Sequence, residues 1–520
     1  MHHVTVDLLR ESFPALKRHA APGVDGVEWR DYEAGLEGSL QDLHQRVQHG
    51  TYRALPVRRR FIAKTDGKQR PLGITALEDK IVQRAVATVL GSIYEQDFLG
   101  FSYGFRPGRS QHDALDALVV GISNKRVNWI QDADIRSFFD KIDQNWLIKM
   151  LEHRIGDGRV IRLVRRWLKA GVLDEGVWSV SETGTPQGAV ISPLLANVFL
   201  HYVFDLWAQQ WRRREAKGEM IVVRYADDIV AGFEHEAEAK AFWEAMCEQF
   251  ERFALELHGD KTRLLEFGRR AADRRRPVGL GRPETFNFLG FTFICGKSQR
   301  GGFLLLRKTR GDRMRARLRE IKTQLRERMH QAISEQGRWL KAVVTGYFAY
   351  HAVPTHSRAL GAFRHHVTGL WLRTLRRRSQ RDRLTPERMA KIADDLPSNT
   401  QGRRRMPELG TYGSVRGVPS NGHPYRDQNT PARSISSAAR RIRLPWQMRL
   451  GGTVDAVQVA ADSKDHIKRS QVPCRGGLGQ EKGCLIPILH PHPDQLPHAA
   501  EGVIPNSVTT GAAASCCLTR

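Results

Sequence analysis

The most informative stretch of the chain is IVVRYADDIVA, residues 221–231. It places Asp227 and Asp228 between two runs of apolar, β-branched residues, which predicts two antiparallel strands joined by a tight turn. Adjacent carboxylates at such a turn repel one another, so the pattern favours a cation bound beside them. An Asp-Asp pair that merely caps the hairpin is the alternative, and the dipeptide alone does not decide between the two.

A third carboxylate occurs earlier, in residues 127–142, VNWIQDADIRSFFDKI. The first part of this segment predicts a strand that ends at Asp134 and is followed by a turn into a helix. Asp134 is therefore well placed as a metal ligand, and Asp132, two residues earlier on the same face of the strand, is the competing choice. Carboxylates from two separate segments suit a pair of Mg2+ ions, which phosphoryl transfer by the two-metal route requires.

The same segment contains the aromatic pair Phe138 and Phe139. A ring just beyond the strand end is bulky enough to abut the sugar of an incoming nucleotide and to exclude a ribose 2′-hydroxyl, and we assign this position to Phe139. Packing in the hydrophobic core is the alternative for both rings, and it must hold for one of them.

Other residues of the chain are suited to nucleotide contacts. Residues 184–197, GTPQGAVISPLLAN, predict a tight loop before a helix, through which Gln187 could reach a nascent base pair; an ordinary loop-to-helix junction is the alternative. Lys64 and Arg70 flank a predicted hairpin with an Asp-Gly turn, and Lys261 follows later in the chain. These three cations can grip a triphosphate, although each could equally be an ordinary surface residue.

The charge balance points to a polyanionic partner. Among 520 residues, Lys and Arg number 82 and Asp and Glu 56, which gives a net charge of +26. Such an excess attracts nucleic acid; an anionic membrane is the alternative, but the sequence shows neither an amphipathic anchor nor a lipidation signal. We find no secretory signal or membrane-spanning apolar run, and the six cysteines form no CxxC pair for a structural zinc. We therefore expect a cytoplasmic, nucleoid-associated protein.

Composition divides the chain into four predicted regions. Residues 1–45 form a short N-terminal extension, and residues 46–295 alternate between strand-like and helix-like segments. Residues 305–395 are helical and basic, with 20 Lys/Arg against 5 Asp/Glu between positions 307 and 383, interleaved with aromatics; this suits phosphate contact and base stacking, with a merely solvated face as the alternative. Residues 396–520 hold 12 of the 23 prolines and three aromatics, so we expect a mostly disordered tail.

Taken together and in this order, seven segments resemble motifs of the reverse transcriptases encoded by bacterial group II introns. They are RPLGI (70–74), YGFRPGRS (103–110), residues 134–140, residues 184–193, YADD (225–228), DKT (260–262) and FLGF (288–291), and residues 21–26 resemble the N-terminal extension of that family. The resemblance implies an α+β, right-hand polymerase fold. Fingers and palm with an antiparallel sheet would occupy residues 46–295, and a helical thumb and maturase region residues 305–395.

The resemblance also implies roles for individual residues. The ligands of two Mg2+ ions, for which Mn2+ can substitute, would be Asp134 and Asp227, with Asp228 in a supporting role, and the sugar gate would be Phe139. The incoming dNTP would meet Lys64, Arg70, Gln187 and Lys261. RNA would be bound by Arg376, Arg377, Arg378 and Arg381.

The function that the resemblance implies is RNA-directed DNA synthesis on intron RNA, together with binding of that RNA to assist splicing. The partners would be the intron RNA, an RNA template, a DNA primer and dNTPs. A splicing cofactor with an idle polymerase, or a reverse transcriptase of a retron or CRISPR system, are the alternatives. The long basic helical region favours the intron type.

Three features depart from the family pattern. Ala189 stands where glycine is more usual, and the residues after Pro397 do not resemble the usual ending of the maturase region. We also find no Cys/His-rich nuclease module and therefore expect no DNA endonuclease activity.

Overall fold

The computed structural model describes residues 1–63, 69–174, 176–179, 183–275, 277–378 and 384–397. The α-helices in these ranges are α1 (Val6–Ser12), α2 (Trp29–Ala34), α3 (Leu36–His49), α4 (Leu77–Tyr94), α5 (Gln111–Asn124), α6 (Phe138–Lys141), α7 (Gln144–Arg154), α8 (Gly158–Lys169), α9 (Ser192–Leu200), α10 (Leu206–Arg214), α11 (Glu236–Glu251), α12 (Arg269–Arg275), α13 (Gly311–Glu327), α14 (Ile333–His351), α15 (Ser357–Arg376) and α16 (Pro386–Ile392). A π-helical turn, His201–Asp205, joins α9 to α10. The strands are β1 (Val57–Ala63), β2 (Gln69–Ile74), β3 (Trp129–Asp134), β4 (Val172–Asp174), β5 (Val177–Ser179), β6 (Met220–Tyr225), β7 (Asp228–Phe233), β8 (Arg263–Glu266), β9 (Phe286–Phe288), β10 (Phe291–Lys297) and β11 (Phe303–Thr309).

The central sheet has the strand order β6-β7-β3-β8, and every neighbouring pair is antiparallel. Its two faces belong to different hydrophobic cores, because alternate side chains of a strand point to opposite sides of a sheet. On β6, Val222 belongs to the core that includes α9 and α11, whereas Ile221 and Val223 belong to the core that includes α5. The sheet is therefore buried on both faces, and its functional side chains lie at the ends of its strands.

The hairpin predicted at the start of the polymerase-like region is formed by β1 and β2, which pair from Arg58 with Ile74 to Ala63 with Gln69. This hairpin belongs to a second sheet, ordered β2-β1-β4-β5. The Gly73 N–H donates to the Gln187 carbonyl at 2.6 Å, so the hairpin contacts the glycine-containing loop. Gly188 has a φ of +111°, and a Cβ there would lie 2.5 Å from the Gly73 carbonyl oxygen. Only glycine permits this close approach.

Helices α13, α14 and α15 bury a third core of residues from each helix, including Ile321, Leu340, Val344 and Trp371. The helical region, expected from about residue 305, begins at Gly311. The preceding segment, Phe303–Thr309, is β11, which pairs with β10 along its whole length because its apolar residues complete a three-stranded sheet. The buried Arg307 of β11 forms an ion pair with Asp116 of α5 at 2.6 Å.

The α+β class expected from the sequence is confirmed, since helices alternate with mainly antiparallel sheets. Among the described residues, none of the helices combines the length and the apolar character needed to cross a membrane. The region that we expected to be a disordered tail lies, after Pro397, outside the described residues, and the names given to the four regions remain predictions.

Candidate active site

The central sheet brings two of the predicted metal ligands together. In the antiparallel pairing of β3 with β7, Asp134 lies directly opposite Asp228, and Asp228 also pairs with Tyr225 to close the β6–β7 turn. Residues paired in this way have Cα atoms about 4.5–5.5 Å apart. Asp227 occupies the turn itself, between Ala226 and Asp228. All three predicted carboxylates therefore lie at one end of the sheet, although they come from segments about a hundred residues apart in the chain.

The electrostatics of this end of the sheet are dominated by burial and by like charges. Burial is the main reason that the pKa of Asp228 is raised to about 7, and the carboxylates of Asp227, Asp134 and Asp132 contribute in the same direction. Lys261 opposes the shift. A half-buried site with this much negative charge favours either a proton or a bound cation, and a divalent cation would relieve the repulsion among several carboxylates at once.

Asp134 has a cationic partner of its own. The Lys261 Nζ lies 2.6 Å from Asp134 Oδ2, and the lysine side chain is 59% exposed. The backbone of Asp134 is held by neighbours of this lysine: the His258 N–H donates to the Asp134 carbonyl at 2.8 Å, and the Asp134 N–H donates to Thr262 Oγ1 at 3.4 Å. Lys261, which we expected to meet a triphosphate, therefore lies at the metal-ligand candidate.

The two candidates on β3 have different neighbours. Asp132 pairs with Val230 rather than with a residue of the turn, and its carboxylate lies 3.9 Å from the guanidinium of Arg263 on β8. Burial is the main cause that raises the pKa of Asp132 to about 6, while Arg263 lowers it. Asp134, which stands opposite Asp228, is thus the better placed of the two for a shared metal site.

The donor set fits magnesium, although a metal centre is not preassembled. In the described ranges, no group of three or more His, Cys, Asp or Glu side chains is arranged to hold a metal ion. The Asp134 carboxylate accepts a hydrogen bond from Lys261. Asp134, Asp227 and Asp228 nevertheless offer only carboxylate oxygens, the ligands that Mg2+ prefers, and the exposed lysine can turn away without disturbing the sheet.

The two adjacent phenylalanines take different positions. Phe138 is 1% exposed and belongs to the core, so the core-packing alternative holds for it. Phe139 is half-buried and packs edge-on against Phe138 with ring centroids 5.4 Å apart. The carbonyl of Phe139 accepts a hydrogen bond from the Thr185 N–H at 2.8 Å, and Gln187 Nε2 donates to Asp140 Oδ1 at 2.9 Å. The backbone of Phe139 and the side chain of Asp140 therefore contact the glycine-containing loop.

The remaining predicted contact residues are placed less directly. Lys64 and Arg381 lie outside the described residues, as does the side chain of Arg70. Arg376 donates from Nε to the Leu384 carbonyl at 2.9 Å, and Arg378 donates to the carbonyls of Met329 and Gln331.

Arg377, at the end of the same helix, is exposed. The side chains of Arg376 and Arg378 thus tie α15 to neighbouring segments, although Arg376, like Arg377, is exposed to solvent.

The sequence did not predict the buried residues that pack against the β6–β7 turn. Arg224, immediately before the turn, is completely buried and forms an ion pair with Asp205 at 2.6 Å. The only signal was an arginine within an otherwise apolar strand, since a charge in such a position needs a buried partner. The partner itself could not be deduced, because Asp205 is the last residue of a π-helical turn that the sequence did not reveal.

Comparison with known proteins assigns the segment that carries this site. Residues 62–293 match the family described as reverse transcriptase (RNA-dependent DNA polymerase). This segment, which contains the three aspartates and Phe139, is therefore a reverse transcriptase domain.

Proteins with similar sequences show which reverse transcriptases this segment resembles. The chain is 37% identical to Protein YkfC of Escherichia coli (strain K12) over 238 residues, which is 40% of this chain and 62% of that protein. It is 42% identical to the group II intron-encoded protein LtrA of Lactococcus lactis subsp. cremoris over 166 residues, 32% of this chain and 27% of LtrA. The matched segment is thus related to group II intron-encoded proteins, in agreement with the resemblance of its motifs. The matches span less than two thirds of the length of either relative.

Among solved structures, the chain is similar to apo telomerase from Candida tropicalis, with 12% identity and a TM-score of 0.37 over 51% of this chain and 59% of that one.

Proposed function

We propose that this protein is the RNA-directed DNA polymerase of a group II intron, which copies intron RNA into DNA and binds that RNA to assist splicing. The single observation that supports polymerisation most is the cross-strand pair of Asp134 and Asp228 beside Asp227, inside a reverse transcriptase domain. A cluster of partly buried carboxylates destabilises a fold unless a proton or a cation neutralises it, because like charges repel and desolvation penalises the charged form.

The chemistry joins a primer 3′-oxygen to the α-phosphorus of a dNTP and breaks the bond from that phosphorus to the leaving pyrophosphate. Asp134, Asp227 and Asp228 would hold two Mg2+ ions, which supply Lewis-acid stabilisation to the attacking and leaving oxygens. Mn2+ offers a similar preference for oxygen ligands. The protein contributes a frame of two paired strands for its carboxylates: Asp134 is the last residue of β3, and Asp228 is the first residue of β7.

Residues next to these two strands would select and bind the dNTP. Phe139 presents its half-buried ring next to the loop that carries Gln187, so a sugar lying against the ring would have no room for a 2′-hydroxyl. Lys261, which is mostly exposed, can leave Asp134 and turn to the triphosphate when a cation neutralises the carboxylate. Lys64 and Arg70 of the β1–β2 hairpin complete the proposed dNTP contacts.

Binding of RNA is supported by the basic helices that follow the domain. Helices α13–α15 bury their apolar stripe in the third core, which leaves most of their arginines at the surface. Phosphate contacts of this kind release counterions and make binding depend on salt. We assign the proposed intron RNA contacts to the C-terminal end of α15 and the residues after it, which include Arg376, Arg377, Arg378 and Arg381.

A primer-extension assay on poly(rA)/oligo(dT) with dTTP tests the polymerase. We expect incorporation with Mg2+ or Mn2+ and its loss in Asp227→Asn, whereas Asp273→Asn, at an exposed position of α12, serves as the matched control and retains activity. No incorporation with either metal by the unaltered chain, together with salt-dependent binding of intron RNA, would leave the alternative of a splicing cofactor with an idle polymerase.

A further inference from the structure

Directly below the catalytic turn, which we define as residues 225–228, lies an arginine with no access to solvent. Arg224 and Asp205 are both 0% exposed, and they form a two-fold ion pair, Nε to Oδ1 and Nη2 to Oδ2, each at 2.6 Å. Burying such a pair is costly, and replacing it with well-packed apolar residues is often neutral or stabilising. Stability alone therefore gives no reason for a charged pair at this place.

The other donors of this guanidinium group reach the turn and its surroundings. Nη2 also donates to Ser102 Oγ at 2.7 Å, and Nη1 donates to Asn197 Oδ1 and to the Ala226 carbonyl, both at 3.1 Å. With these contacts all five N–H groups of Arg224 have an acceptor. The orientation of the group is thus fixed from three sides, and one of its bonds ends on the backbone of the turn.

The hydrogen bond from Arg224 to the turn is accepted by Ala226, the residue of the turn with the least favourable backbone conformation. Ala226 has a φ of +56°, in the left-handed region, where a residue with a Cβ is disfavoured. Asp227 and Asp228 follow it directly, so the direction of both carboxylates depends on this conformation. A hydrogen bond to the Ala226 carbonyl holds the peptide that would rotate if the residue relaxed.

A loop holds the turn from the other side. Asn197 Nδ2 donates to the Gly104 carbonyl at 2.7 Å, and a Cβ on Gly104 would lie only 2.3 Å from the Ala226 nitrogen. The loop and the strand are tied together as well, because the Arg224 N–H donates to the Phe101 carbonyl and the Tyr103 N–H to the Arg224 carbonyl, each at 2.9 Å.

A second buried arginine holds this loop without touching the turn. Arg106 pairs with Glu95 through Nε and Nη2, both at 2.9 Å, and donates from Nη1 to the carbonyls of Leu99 and Ser102 at 2.8 Å. Both arginines are buried and each forms a two-fold ion pair, although Glu95 is 26% exposed and Asp205 is not exposed; of the two, Arg224 bonds to the catalytic turn.

The π-helical turn explains how two acceptors come to face Arg224. Asn197 and Asp205 are eight residues apart, which in a regular α-helix would place them about 80° apart around the axis. The wider turn at His201–Asp205 takes up roughly one extra residue, which brings the two side chains close to the same face of the helix.

We infer that Arg224 is a positioning residue for the catalytic carboxylates: with Asp205 and Asn197 it holds Ala226 in the left-handed conformation that aims Asp227 and Asp228. This inference rests on the proposed function, because it assumes that these carboxylates act in polymerisation. It assigns to Arg224 an effect on turnover that a purely structural ion pair would not have.

The test uses the full chain with Arg224→Lys, alone and combined with Ala226→Gly. Lysine keeps the charge but cannot bond to Asp205 and to Ala226 at once. We expect kcat in primer extension to fall by about 10²-fold, as for a small misplacement of reacting groups, with the KM for dTTP little changed. Glycine adopts the left-handed conformation freely, so the double variant should regain about tenfold or more of the lost kcat.

Arg106→Lys, with and without Ala226→Gly, is the matched control. We expect it to lower the thermal unfolding temperature, as Arg224→Lys does, but glycine at position 226 should bring no gain in kcat. If Arg224→Lys does not fold, Ser102→Ala removes a single acceptor of the same guanidinium group. We expect a smaller loss of kcat there, relieved again by Ala226→Gly.

Amide hydrogen exchange of residues 225–228 tests the inference without polymerase activity. We expect faster exchange in Arg224→Lys or Ser102→Ala than in the unaltered chain, and unchanged exchange would overturn the inference. A kcat that does not fall, or a loss that glycine does not relieve, would overturn it too. If the unaltered chain fails to extend a primer, the proposed function is refuted, and the exchange rates alone decide whether Arg224 holds the turn.

Discussion

The ammonium group of Lys261 lies 2.6 Å from the carboxylate of Asp134. A cation of the protein itself thus stands at a carboxylate that is proposed to bind a metal ion. Because Lys261 is 59% exposed, the pair is weak, and such exposed pairs contribute about 0.2–1 kcal/mol. The lysine competes with Mg2+ only mildly and is free for another partner once the metal is bound.

Replacing Lys261 with methionine should therefore have two opposite effects. Without the competing charge, half-maximal activity should need about 1.4- to 5-fold less Mg2+, the range that follows from the strength of an exposed pair. The KM for dNTP should rise, because a proposed triphosphate contact is lost. Metal and nucleotide titrations of primer extension measure both. Lys240→Met, which removes a similarly exposed pair with Glu236 on α11, should change neither; an unaltered Mg2+ requirement in Lys261→Met would contradict the competition.

Substitution of each aspartate on β3 decides between the two candidates that the sequence left open. We expect Asp134→Asn to reduce the rate of primer extension by more than about 100-fold, the upper range for losing a group that only supports a metal ligand. Asp132→Asn should have a much smaller effect, because Asp132 pairs with Val230 and faces Arg263. Comparable losses in the two variants would show that Asp132 also takes part in metal binding.

Phe139→Ala should relax the discrimination against ribonucleotides. Removal of the half-buried ring opens space for a 2′-hydroxyl, and we expect the ratio of kcat/KM for dNTP over rNTP to fall by about 10- to 100-fold, as for other steric pockets. Phe138→Leu is the control: it should cost roughly 0.5–3 kcal/mol of folding stability and leave the ratio unchanged. If only Phe138→Leu alters the ratio, the gate has been assigned to the wrong ring.

Acid should loosen the junction between β11 and α14. Thr309 Oγ1 lies 3.1 Å from His351 Nδ1 and 2.5 Å from His356 Nε2, so one hydroxyl bridges two buried imidazoles. Burial is the main cause that lowers the pKa of His351 to about 3 and that of His356 to about 4. In the unfolded chain both would take up protons below about pH 6.5. The free energy of unfolding is thus highest above pH 6.5 and falls as the pH drops from 6.5 towards 4.

Between pH 6.5 and 5 this linkage amounts to about 2 kcal/mol for each histidine. The double variant His351→Asn, His356→Gln retains a polar atom near each bonded nitrogen and should flatten the decline, as measured by urea unfolding at a series of pH values. His49→Gln, at an exposed position, provides the comparison. Parallel pH profiles for the double variant and the unaltered chain would refute the role of the two imidazoles.

Truncation after Pro397 should leave primer extension within a few-fold, whereas truncation after Arg378 should impair folding. The third core includes Met389, Ala393 and Leu396, which are at most 3% exposed, so a chain that ends before α16 exposes apolar surface of the core. Circular dichroism and primer extension on both truncated chains test this. Failure of the longer one to fold would show that residues after Pro397 are needed.

The local parts of the site were accessible from the sequence. Runs of β-branched residues on either side of Asp227 and Asp228 fixed the β6–β7 hairpin, because period-two burial and a tight turn are both local properties. The end of β3 at Asp134 and the loop before α9 followed from the same kind of pattern. That the hairpin, the end of β3 and the loop lie together at one site was predicted from the resemblance to a known family.

The long-range contacts were not accessible in this way. The ion pair of Lys261 with Asp134 depends on how β8 lies beside β3, and many cations of the chain could have been its partner. The ion pair of Arg224 with Asp205 depends on a π-helical turn, which no spacing rule predicts. The strand at Phe303–Thr309 was included in the helical region because a short apolar run shows no decisive period.

The contact between Gly73 and Gln187 has a mechanical consequence. The β1–β2 hairpin is bonded to the carbonyl of the same residue whose amide bonds to Asp140, next to Phe139. A displacement of β2 that keeps these two bonds must carry Gln187 with it and pull on the backbone beside the aromatic ring. If the hairpin moved towards a bound nucleotide, the positions of Gln187 and of the backbone beside Phe139 would change together. Contacts to the base and to the sugar would then be coupled.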